Sequence, residues 1–120
     1  MDTLVIKQNI IEYLKELEKA SLESIKSLNS DNRNDEANLE KISLNMVNIS
    51  SSLVNASFNK EKKYFKDKLD FLFNKLINEW TSKMNMAEKF NDEGNLLIEK
   101  IKIEKFRLIY NEINNLFDKE

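Results

Sequence analysis

With no His and no Cys, this 120-residue chain leaves covalent or metal chemistry to Ser, Lys, Tyr and the carboxylates. A nucleophilic Ser needs an adjacent base, which here could only be Lys or a carboxylate. The one run of serines, Ser50-Ser51-Ser52, has no Gly-x-Ser-x-Gly context and falls in the middle of a helical pattern. It reads better as small polar residues that let two helices approach. Di-metal bundle enzymes need inward Glu-x-x-His pairs, and that His is missing. An all-carboxylate Mg²⁺ site would have to use Glu36/Glu40 or Asp67/Asp70. Each pair is more simply the wet face of a helix. The sequence therefore assigns no catalytic residue, no metal ligand and no cofactor, and a non-enzyme is expected.

Phosphate contacts are the next chemistry to weigh. Residues 60–68, KEKKYFKDK, put Lys60, Lys62, Lys63 and Lys66 around Tyr64 and Phe65. Lysines could touch a nucleic-acid backbone there, and Tyr64 could stack on a base. Glu61, Asp67 and Asp70 dilute that field. Lys100, Lys102, Lys105 and Arg107 are similarly interrupted by Glu99 and Glu104. The formal net charge is −2, which supplies no long-range attraction for nucleic acid or an anionic membrane. A nucleic-acid accessory protein using the Lys60–Lys68 cluster stands as the alternative function.

The elements that would position any such residue are helices. Pro is absent and Gly occurs once, at Gly94, so the many tight turns of a β fold are not on offer. Apolar residues recur every three or four positions in four segments, which predicts helices over about 3–28, 35–57, 60–90 and 95–117. In the second, Leu39, Ile42, Met46, Ile49, Leu53 and Ala56 make the expected stripe. In the third, Phe65, Leu69, Leu72, Leu76, Trp80 and Ala87 do so, widened by Phe73, Ile77 and Met84. Asp2 or Thr3 can cap the first helix, and Asn34 or Asp35 the second. The stretch NSDNRND, 29–35, is the clearest loop. A second loop is FNDEGN, 90–95, where Gly94 would supply positive φ. Ala56 and Phe65 are nine residues apart, about half a turn out of phase, which predicts a break near Ser57–Lys60 capped by Asn59. One kinked helix is the competing reading, because Phe58 is in phase with Phe65. The whole is expected to be a single all-α domain, an up-down antiparallel four-helix bundle.

The second helix is unusual on its polar side. No charged residue occurs between Lys41 and Lys60. A solvated helix face normally carries Lys, Glu or Arg, so this helix is expected to be covered on more than one side, by the bundle or by a partner. Asn45, Asn48, Ser52 and Asn55 are the candidate partner-binding residues on it. Tyr64 and Phe71, off the main stripe of the third helix, join them as candidates for an apolar interface. The expected partner is another protein or a second copy. No apolar run is long enough to span a bilayer, and MDTLVIKQN lacks the basic start of a signal peptide, so the expected location is cytoplasmic. Abundant Asn, Lys and Ile, with A/T-rich codons, point to a low-GC bacterial or phage genome.

Four helices in 120 residues without catalytic groups make a plan similar to that of flagellar export chaperones, bacteriocin immunity proteins and small phage-encoded inhibitors. The resemblance is one of size and architecture. It implies an adaptor, chaperone or inhibitor that works through helix–helix contacts.

Overall fold

The computed structural model describes residues 2–119. Four helices follow one another: α1 (Thr3–Ser30), α2 (Asn34–Ser57), α3 (Lys62–Lys89) and α4 (Glu93–Asp118). They form the expected up-down antiparallel four-helix bundle, and among the described residues there is no strand. The antiparallel order shows in the cross-helix pairs. Ser21 bonds Glu40 and Thr3 bonds Lys60, while Phe65 packs on Phe117 and Trp80 on Phe106.

The cross-section is a flattened rhombus. The molecule measures 46 × 36 × 20 Å, and its thinnest dimension is about two helix diameters. α1 packs most extensively on α2, and α3 on α4. The two hairpins then join mainly through α2 and α4, which form the short diagonal, whereas α1 and α3 share no substantial interface. α2 thus touches all three other helices. That accounts for much of its missing charge.

Both hairpin turns solve the same problem without glycine. At the end of α1, Arg33 N–H donates to Leu28 O at 2.8 Å and Asn32 N–H to Asn29 O at 3.1 Å. At the end of α3, Asp92 N–H reaches Ala87 O at 2.8 Å and Asn91 N–H reaches Glu88 O at 3.2 Å. Each is a Schellman closure, which needs a left-handed residue after the cap. Asn32 (φ 59°) and Asn91 (φ 54°) fill that role. Gly94 does not: it lies inside the first turn of α4 with ordinary φ.

The start of α1 is capped as expected, Asp2 accepting from Leu4 N–H at 2.9 Å. α2 begins differently. Asn34 is already helical, the cap position is Arg33, and no side chain caps it. The break between α2 and α3 is real and spans residues 58–61. Asn59 serves it from within the linker, accepting from Glu61 N–H at 2.8 Å, while Glu61 holds the cap position of α3.

The core is rotated from the stripes read off the sequence. In α2 the buried residues are Ala37, Met46, Val47, Ser50, Val54 and Ser57; Leu39, Ile42, Ile49 and Leu53 are half-buried and Ala56 is exposed. In α3, Phe73 and Ile77 are buried, and Leu72 and Leu76 only partly. The reason lies in the neighbours. The buried side of α2 includes small residues, Ala37, Ser50 and Ser57, and Ser50 satisfies itself by donating to Met46 O at 2.7 Å. The aromatic seam with α4 draws α3 round toward Phe73, which stacks on Phe106 (4.4 Å) and Tyr110 (4.9 Å).

Candidate functional site on the second and third helices

α2 is covered over most of its circumference, leaving an exposed arc of about 100° on a helical wheel. That arc holds Asn45, Asn48, Ser52, Asn55 and Ala56, all exposed. From Asn45 onward it is wet, uncharged and built of Asn and Ser around Ala56, and one turn earlier the exposed Lys41 lies on the same arc. Asn45, Asn48 and Ser52 line one groove together with Ile49 and Leu53, and Trp80 of α3 and Lys102 of α4 complete it. Trp80 is 7% exposed, and the Lys102 ammonium sits 5.7 Å from its ring centroid. Ser52 donates to Asn48 O at 3.2 Å, so its hydroxyl is already engaged along its own helix.

The six candidate residues do not make one patch. Asn55 lines a different groove, shared with Leu4, Lys7, Ile11 and Lys15 of α1. Tyr64 (61% exposed) and Phe71 (59% exposed) line neither groove. They lie two turns apart on the outer side of α3, roughly 150° round the helix from the centre of its buried face. The structure therefore divides the candidates among three surfaces: the Asn45–Ser52 groove of α2, the α1–α2 groove that holds Asn55, and an aromatic line on α3.

Of the side chains the enzyme readings would use, several are buried or already engaged. Ser50 is fully buried. Glu36 pairs with Arg33, and Glu40 accepts from Ser21 at 2.9 Å. Asp70 receives Lys66 at 2.6 and 2.8 Å and the Tyr110 hydroxyl across the α3–α4 seam. Among the described residues no group of three or more acids is placed to hold a metal ion, and no helix is long and apolar enough to cross a membrane. Within the Lys60–Lys68 cluster, Lys66 is drawn to Asp70. Lys60, Lys62, Lys63 and Lys68 stay exposed, with Glu61 and Asp67 exposed among them.

No protein family, no curated protein and no solved structure matches this chain. Its site must be judged from its own residues.

One of those residues escaped the sequence reading. Glu99 counts there as a surface acid diluting a basic cluster, yet it is only 8% exposed. Its Oε1 accepts from Lys102 Nζ at 3.1 Å, beside Trp80. The signal was present in the spacing, because Glu99 precedes Ile103 by four and Phe106 by seven, both buried. A charged residue on the apolar stripe of a helix is a candidate for burial.

Proposed function

We propose that this protein is a non-catalytic helical bundle that binds another protein through helix–helix contacts, as an adaptor, chaperone or small inhibitor of the cytoplasm. The observation that carries the reading is the exposed, uncharged wall of α2. Asn45, Asn48 and Ser52 border a groove floored by apolar side chains and the edge of Trp80. A strip without charges costs little to desolvate, while Asn and Ser can still exchange their water for hydrogen bonds to a partner helix. The exposed Tyr64 and Phe71 supply a second apolar contact on α3.

The test is capture from the native cell by cross-linking, run beside an Asn48→Lys/Ser52→Glu double variant. A protein recovered by the natural chain and lost with the variant, at unchanged melting temperature, supports the reading. Recovery of no specific protein by a chain that light scattering finds strictly monomeric overturns it.

A further inference from the structure

A second groove of about 530 Å³ lies at the α3–α4 hairpin, and its chemistry differs from that of the α2 wall. Its lip is apolar: Met86 is 56% and Phe90 68% exposed, with Ala87 between them on the wall. Its inner side carries Glu99, more than nine-tenths buried. Lys102 reaches Glu99 Oε1, but Oε2 is buried with no hydrogen-bond partner. Two other charged groups line the groove and neither relieves that oxygen. Lys83 makes no ion pair with Glu99. Asp92 is itself an acid, engaged with the backbone N–H of Asn95 at 3.2 Å and with its side-chain amide at 2.6 Å.

A buried carboxylate oxygen without a donor is costly, and a charged donor is the group that offsets most of that cost. An apolar lip over an anionic base selects a cation carried on an apolar stem. We propose that this groove receives a Lys or Arg side chain of a partner protein, its head donating to Glu99 Oε2 and its stem lying against Met86, Ala87 and Phe90. Oε2 is closed off from solvent, so the head reaches it only when the long side chains on the groove, the flexible Met86 and Lys83, change rotamer. The Phe90 ring can also face a cation, as it already does Lys89, whose Nζ lies 5.7 Å from its centroid. Lys102 links the two grooves, since it pairs with Glu99 here and lines the α2 wall there. A partner helix lying along Asn45–Ser52 therefore has a basic anchor point one ion pair away. The proposal rests on the protein-binding reading and names the chemistry of that partner.

Butylguanidinium and butylammonium stand in for the anchor, with butylurea as the uncharged control. Backbone amide shifts of Met86–Glu99 and the Trp80 indole shift are followed by NMR. The expected result is saturable, millimolar binding of the two cations and at least tenfold weaker binding of butylurea. Glu99→Gln loses the cation preference, and Phe90→Ser, a change on the exposed lip that leaves the core intact, weakens binding several-fold. Equal binding of butylurea, cation shifts that persist in Glu99→Gln, or no saturable shift at all would each overturn the proposal. The probes are free molecules, so failure here is separable from failure of the wider reading. A chain that captures a protein but binds no probe refutes the groove alone. A chain that binds the cations but captures no protein refutes the assignment of the anchor to a partner.

Discussion

Asp70 is the point where three side chains from two helices meet. Lys66 approaches it from one turn earlier on α3, and Tyr110 donates to it from α4. Burial first, and the hydrogen bond to Asp70 second, push the Tyr110 phenol from 10.0 up to about 12. A raised pKa means that the folded state holds this proton more tightly than the unfolded chain does. The stabilisation is whole below pH 10 and is lost as pH rises through about 12. Tyr110→Phe should therefore lack this pH dependence, so that the natural chain loses stability relative to the variant as pH rises from 10 through about 12. Curves that stay parallel in thermal unfolding across that range would refute the linkage. The neighbouring Phe106 is fully buried between Phe73 and Trp80. Phe106→Ala should cost about 3–5 kcal/mol in urea unfolding, because the seam cannot close over the missing ring.

At the scale of the helices, the turns matter more than the stripes. A chain with a single glycine still makes two Schellman closures, by placing Asn at the left-handed position of each. Asn tolerates that conformation through its short polar side chain, whereas a β-branched residue does not. Asn91→Val should destabilise by about 1–2 kcal/mol, while Asn91→Gly should be neutral or mildly stabilising. Denaturant midpoints of the pair decide it. On α2, Ser50 is buried and bonded only to its own helix. Ser50→Ala is expected to be nearly neutral. Ser50→Leu should cost about 1–3 kcal/mol, because a fully buried Ser site has no room for the larger side chain.

For the molecule as a whole, the decisive fact is that α2 and α4 share the short diagonal. This leaves α2 with a narrow wet arc and places the Glu99–Lys102 pair of α4 between two grooves. Charges added on the arc stay exposed to water, and their only charged neighbours lining the groove are each other, one turn apart, and Lys102 across it. The Asn48→Lys/Ser52→Glu variant should therefore unfold within about 0.5 kcal/mol of the natural chain. A larger loss would mean that the arc is packed in solution, by self-association or otherwise. The same arrangement explains why the six residues singled out on sequence grounds fall on three separate surfaces. Helical phase says which residues share a side of one helix. It does not say which neighbouring helix that side will meet.

The division between chain and fold follows from the range of the forces involved. Helix formation, the loops near 29–35 and 90–95 and the break after Ser57 arise from spacing and backbone preference within a few residues, so they are written locally. The absence of His and Cys chemistry is likewise a matter of composition. The rotation of α2 toward Ser50 and Val54, the burial of Glu99, and the separation of Tyr64 and Phe71 from the Asn45–Ser52 wall depend on how residues distant in the chain fill space against each other. Packing is many-body and short-ranged, and so only the assembled bundle decides which polar side chains keep their water.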